Sequence, residues 1–326
     1  MSDSLFIRAA RKGYQTLFGS YRAYKEKNDY FGIPITDEQS GNNKIQKILS
    51  TNQPALICRY GSTEMFAISN FFEIKQFKEA NALKKTFKKI KGESEIWRPI
   101  VKQEMEFISG FFPTTDENLE KFVELYLKIT PTIDILGVWS NYYEDVIVKN
   151  YCPTATLVPL RSLEPYYFTN PWSSTLKNKK VLFIHPFKDS IEKQFFVRDR
   201  LFENKEILPD FELRTIKAIQ SSANSKTEFN TWFDALDYLQ EQIVKTDFDV
   251  AIIGAGTYGL PLAAFVKSIR KQAIHMGGAT QLMLGIKGNR WDKDPIISKL
   301  YNEYWTRPFD YETPKDYKKV EGGSYW

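Results

Sequence analysis

Soft and imidazole metal ligands are scarce in this chain: two cysteines, Cys58 and Cys152, and two histidines, His185 and His275, in 326 residues. No two of them stand close in sequence, which excludes a Cys/His zinc site, so a resident metal would rely on carboxylates. So few cysteines also exclude a disulfide scaffold and suit a reducing compartment. Long apolar runs are missing as well. The longest uncharged stretch, Val250 to Val266, holds Gly254, Gly256, Gly259 and Pro261, the pattern of a strand, a turn and a helix start rather than a membrane span. Met1 to Ser4 is polar and no apolar h-region follows, so no secretory signal is read and a cytoplasmic location is expected. Charge of one sign is not in large excess. The 45 basic and 40 acidic residues leave +5, which calls for no nucleic-acid partner and implies a mild preference for anions.

Aromatic residues, in contrast, are plentiful. With 24 Phe, 18 Tyr and 7 Trp, the chain carries too much apolar surface to remain disordered. Its length suits two domains or one large α/β domain. Residues 5 to 27 set Phe6, Ala10, Tyr14, Leu17, Tyr21 and Tyr24 on one helical face, with Arg8, Arg11, Lys12, Arg22, Lys25 and Lys27 elsewhere. Such a helix docks on the protein's own core or lies on an anionic membrane surface. A second basic stretch, Lys84 to Lys91, is read as a solvated helix face with Leu83, Phe87 and Ile90 on its buried side.

From residue 55 onward, short apolar runs alternate with helical patterns: Ala55–Cys58, Ile133–Val138, Thr156–Leu160, Val181–Ile184, Glu212–Ile216, Val250–Ile253 and Ala273–Met276. The pattern predicts a Rossmann-like α/β fold, a mostly parallel sheet with helices on both faces, after an N-terminal amphipathic helix. We divide the chain into an N-terminal helical segment (1–36), an α/β domain (37–300, with a possible half boundary near 171–175) and a tail (301–326) expected to wrap the surface. Four strands end in unusual residues: Arg59-Tyr60-Gly61, His185-Pro186-Phe187, Gly254-Ala255-Gly256 and His275-Met276-Gly277-Gly278. Ligands of open parallel sheets bind beyond the carboxyl ends of the strands, so these corners are expected to converge on one crevice.

Gly254-Ala255-Gly256-Thr257-Tyr258-Gly259 matches G-x-G-x-x-G after a strand and before a helix, a turn whose free N–H groups can hold a diphosphate. A nicotinamide fold would end the next strand on an acid for the ribose; this chain has His275 there. At the first corner, Ser62 is expected to cap a helix whose first turn carries Glu64, and capping alone would also account for both residues.

Arg59-Tyr60-Gly61-x-x-Glu64, Lys180 to Phe187, Gly254-Ala255-Gly256 and Ala273 to Gly278 together resemble successive landmarks of the GT-D-type glycosyltransferases, Rossmann-like bacterial enzymes of surface-polysaccharide biosynthesis. Gly278 to Trp291 is similar to a stretch in proteins from capsule and O-antigen gene clusters, and the resemblance covers about residues 50 to 292. It implies a hexosyltransferase-type enzyme that moves a sugar from a nucleotide sugar, UDP-linked by expectation, to a lipid-linked or nascent polysaccharide at the cytoplasmic face of the membrane. The family's first motif reads Arg-aromatic-Gly-Asp-x-Glu, and its acidic pair is associated with a divalent metal. Here Ser62 replaces the Asp. Glu64 is then the one candidate metal contact, for Mg²⁺ or Mn²⁺ held through the diphosphate and water; because Ser62 is a poor substitute for a carboxylate ligand, a metal-independent site or a lost activity is the alternative. The resemblance also implies an acid where His275 stands.

A glycosyl transfer needs a neutralised leaving diphosphate and a base for the acceptor hydroxyl. Candidate donor-binding residues are Arg59, Gly61, Ser62, Lys188, Gly254, Gly256, Thr257, Tyr258, His275, Gly277, Gly278, Thr280 and Arg290. Glu64 and His185 compete as the base, the latter because histidine titrates near working pH. Trp139, Tyr258 and Trp291 could stack on a base or sugar ring. A nucleotide-dependent oxidoreductase using the glycine turn and a non-enzymatic scaffold of a glycan-assembly complex are the alternative readings.

Overall fold

The computed structural model describes residues 27–326, and the amphipathic helix expected over residues 5–27 lies almost wholly outside them. A short antiparallel hairpin, β1 (Asp29–Tyr30) and β2 (Ile33–Pro34), opens the described chain. Seven strands then form one sheet: β3 (Ala55–Arg59), β4 (Ile135–Val138), β5 (Thr156–Pro159), β6 (Lys180–His185), β7 (Glu212–Lys217), β8 (Val250–Ile253) and β9 (Gln272–His275). Their spatial order is β5-β4-β3-β9-β8-β6-β7, and every pairing is parallel. All seven expected strands are present, with ends agreeing to within two residues and Val250–Ile253 matching at both ends.

Both faces of the sheet are covered, which is why its inner strands are apolar at nearly every position. Side chains alternate between the faces along each strand. Leu56 and Cys58 of β3 join one core with Ile68, Leu119, Phe122, Leu236 and Leu262 from the helices Ser62–Glu79, Asp116–Ile129, Trp232–Lys245 and Gly259–Ser268. Ile57 joins the other with Ile45, Leu49, Trp172, Ile191 and Trp305. Pro171 to Thr175, the proposed half boundary, lies on the route that carries the chain from the β5 edge to the β6–β7 side, and Trp172 within it is fully buried.

Two expectations are corrected here. Segment 301–326 does more than wrap the surface: Trp305, Val320 and Trp326 are buried in the second core. The basic helix Ala82–Lys91 does not bury Leu83 and Phe87, which are 69% and 58% exposed. Periodicity identified its apolar face but not the direction in which that face points.

Candidate functional site

The four central strands, β3, β9, β8 and β6, each deliver one of the unusual corners to the same edge of the sheet. Register fixes this. Ile274 of β9 lies beside Ile57 of β3 and Ile252 of β8, while Ile253 lies between His275 and Ile184. Arg59, Gly254, His185 and His275 therefore lie within about one rung of a common line. Above them opens a cleft of about 1020 Å³, part of it continuous with solvent, whose wall includes Arg59, Glu64, His185, Gly256 and His275. Convergence of the corners, expected from strand topology alone, is what the chain adopts. Gly61, Ser62, Gly254, Tyr258, Gly277 and Gly278 also line the cleft.

Arg59 sits at the end of β3. Its Nε donates to the Tyr60 carbonyl at 3.0 Å and its guanidinium lies 5.0 Å from the Trp139 ring centroid. Gly277 has φ of +67°, and a Cβ there would stand 2.8 Å from Arg59 Nη1, so the glycine admits both the backbone turn and the guanidinium. Among the described residues Arg59 forms no ion pair with a carboxylate, which leaves its charge facing the cleft.

The helix Ser62–Glu79 starts at the cleft. Gly61, rather than Ser62, is its N-cap, and Ser62 is already helical. Glu64 is buried in the first turn, where the helix dipole favours a carboxylate. A Cβ on Gly61 would stand 1.9 Å from Glu64 Oε2, so the carboxylate folds back over the bare glycine. Thr63 Oγ1 donates to Glu64 Oε2 at 2.9 Å, and the Thr63 hydroxyl in turn makes a short hydrogen bond with the Ser109 hydroxyl. Three cleft residues, Ser109, Thr63 and Glu64, form a hydrogen-bonded chain ending on the carboxylate.

The glycine turn after β8 is built as its sequence pattern requires. A Cβ on Gly254 would meet His185 Cδ2 at 2.6 Å and the Gly277 carbonyl at 2.8 Å, Gly256 has φ of +52°, and a Cβ on Gly259 would stand 2.0 Å from His275 Cε1. The turn leads into the helix Gly259–Ser268, and a 3-10 helix, Gly277–Leu284, begins beside it. Helix starts present unpaired N–H groups and the positive end of a dipole, which suits an anion.

Both histidines are buried, and burial pushes each down to about 3, with the Arg59 charge helping to lower His275. Each is therefore a neutral imidazole near neutral pH and a weak proton acceptor, which counts against His185 as the base. Their tautomers follow from their partners. His185 Nδ1 accepts from the Phe187 N–H at 3.0 Å, so its proton is on Nε2; His275 Nδ1 lies 3.2 Å from the Ile253 carbonyl and donates to it.

Two carboxyls lie behind Arg59. Glu144 accepts from the Tyr30 hydroxyl at 2.6 Å and from the Trp139 and Asn141 N–H groups, and Glu164 accepts from the Tyr166 hydroxyl at 2.8 Å. Burial raises each to about 7.

Several sequence candidates fall outside the wall. Lys188 pairs with Glu192 at 2.9 Å along its own helix. Thr257 and Thr280 are fully buried and donate to the Ser109 and Ile253 carbonyls, bracing the turns rather than facing a ligand. Arg290 bonds Glu321 and lies over the Tyr325 ring, one layer behind the cleft. Trp139 is occupied by Arg59 and Trp291 packs edge-on to Tyr325, whereas Tyr258 does line the cleft but has its ring stacked on Trp232. Conversely, Ser109, Ser221, Ser222, Glu321, Tyr325 and Trp326 line the cleft and were not singled out in the sequence. Single hydroxyls in loops and aromatics without periodicity carry no pattern that a sequence reading can use.

A resident metal does not fit these donors. Ser62 stands where a second carboxylate would be needed, Glu321 is held by Arg290, and among the described residues no group of three or more His, Cys, Asp or Glu side chains is placed to hold an ion. Among the described residues, too, no helix is long and apolar enough to cross a membrane. Comparison of the chain with protein-family models, with curated proteins and with solved structures finds no match in any of the three.

Proposed function

We propose that the protein is a glycosyltransferase that moves a sugar from a nucleoside-diphosphate donor, UDP-linked by expectation, to a hydroxyl of a lipid-linked or nascent surface polysaccharide. One observation carries the reading: a single cleft is lined both by groups suited to an anion, namely glycine turns, helix starts and Arg59, and by a buried carboxylate, Glu64, that pairs with no cation among the described residues. Group transfer from a diphosphate-activated donor to an alcohol needs both parts. In this mechanism Glu64 takes the acceptor proton as the acceptor oxygen bonds to the anomeric carbon. The bond from that carbon to the diphosphate breaks, and the electron pair leaves on the diphosphate. Arg59 and the N–H groups of Ala255 and Gly256 hold the charge that develops there, the Gly254 N–H being given to the Ile184 carbonyl. The neutral imidazole of His185 offers its Nε2 proton to a phosphate or sugar oxygen without adding charge.

Isothermal titration calorimetry tests the donor class. UDP or another nucleoside diphosphate is expected to bind, with affinity lost in Arg59→Ala, and NAD is not. Tight NAD binding with no response to any nucleoside diphosphate would move the assignment to the oxidoreductase that the glycine turn also suits. Silence toward all nucleotides would leave the scaffold.

A further inference from the structure

The helix Ala82–Lys91 sits inside out on the body of the protein. Its ends are well formed: Asn81 caps the first turn by accepting from the Lys84 N–H, and Gly92 closes the last with φ of +83°. None of its ten residues is buried. What it turns toward the protein is its lysine side, because the Lys85 and Lys89 ammonium groups lie 5.9 and 5.7 Å from the centroid of the buried Phe77 ring. At 100° per residue, positions two apart fall on opposite sides of a helix. Leu83 and Phe87, one turn apart, therefore face away, 69% and 58% exposed. Lys84 and Lys91 border this stripe on one flank, both exposed. Ile96 and Ile100, in the segment that follows, are 63% and 45% exposed.

An apolar stripe held outward and edged with lysines is the arrangement by which a helix lies in the interfacial layer of a bilayer, its apolar residues among the acyl chains and its lysines at the phosphates. Charge selects the kind of bilayer. Between Lys75 and Lys102 there are nine basic residues and three acidic ones, and the helix itself has no acid. We propose that Ala82–Lys91 is a membrane-docking element that inserts Leu83 and Phe87 into a bilayer containing anionic phospholipid. The proposal is independent of the glycosyltransferase reading, since vesicle binding reports on the helix and nucleotide titration on the cleft.

Co-sedimentation of the full chain with phosphatidylcholine vesicles, with and without about 30% phosphatidylglycerol, tests it. Binding is expected to the anionic vesicles, to weaken as salt rises, and to fall about tenfold or more in Leu83→Ser/Phe87→Ser, a change of exposed residues that should leave the melting temperature in place. Phe87→Cys labelled with an environment-sensitive dye should report an apolar environment only when anionic vesicles are added, the native thiols Cys58 and Cys152 being buried. Failure of the full chain to sediment, or equal sedimentation of the double variant and the parent, would overturn the proposal. So would vesicle-free self-association that is abolished by Leu83→Ser/Phe87→Ser, since the stripe would then bind a second copy.

Discussion

Glu64 owes its position to the residue three places before it. Because Gly61 has no side chain, the carboxylate folds over the start of its own helix, and at φ of −81° nothing in the backbone requires glycine there. Gly61→Ala should therefore keep the fold while pushing the flexible carboxylate aside. If Glu64 is the base, Glu64→Gln lowers turnover by about 10²–10⁴ at nearly unchanged stability, and Gly61→Ala shares much of the loss. If Glu64 serves only the helix dipole, its replacement costs about 0.3–1 kcal/mol of stability and leaves turnover alone. Steady-state kinetics and urea unfolding on one preparation of each variant separate the two roles. The sequence carried this pair as a motif. That its two members touch, and that Thr63 and Ser109 extend the contact into a hydrogen-bonded chain, depends on rotamers and on a loop 46 residues away.

Strands were the most legible elements, because a sheet covered on both faces writes itself as short uninterrupted apolar runs. Their carboxyl ends were legible because Arg59, His185 and His275 interrupt those runs. The tail was not. Tyr317, Tyr325 and Trp326 follow no period, yet the Trp326 ring meets Phe187 and Tyr317 edge-on, and Gln281 Nε2 donates to the Tyr325 carbonyl at 3.0 Å. Gly278 allows the approach, since a Cβ there would stand 2.1 Å from the Tyr325 ring. Trp326→Ala is expected to cost about 3 kcal/mol in equilibrium unfolding and to weaken ligand binding in the same variant. A tail that merely covered the surface would give a change within about 0.5 kcal/mol and unaltered affinity.

Across the whole molecule, buried groups of opposite sign shape the dependence of stability on pH. His185 and His275, ordinarily near 6.5, fall to about 3 in the folded chain. They stabilise the fold fully above 6.5, and that contribution is lost as pH falls toward 3. Glu144 and Glu164, ordinarily near 4.5, rise to about 7. Their contribution is complete below 4.5 and is lost as pH rises through 7. Between about 4.5 and 6.5 the two pairs offset one another, so their joint contribution to the unfolding free energy should form a plateau there and drop at lower pH, where of these four groups only the imidazoles still titrate. Urea titrations across this range check it. His275→Gln should tilt the plateau so that stability declines with rising pH, and a parent chain whose stability falls steadily from pH 6.5 to 4.5 would show that the carboxyls do not oppose the imidazoles.

The strand order also bears on how the chain is made. β3 is synthesised early and completed late, since one neighbour, β4, follows within eighty residues while the other, β9, begins at Gln272. Throughout the intervening synthesis one hydrogen-bonding edge of β3 stays bare on the ribosome, next to the apolar Leu56, Ile57 and Cys58. Within the sheet the β5-β4-β3 half and the β9-β8-β6-β7 half are paired only at that seam, so nascent chains stalled before residue 272 present an open strand template to their neighbours. Translation pauses in this interval should therefore favour association between adjacent nascent chains, and rapid elongation through the last strand protects the product.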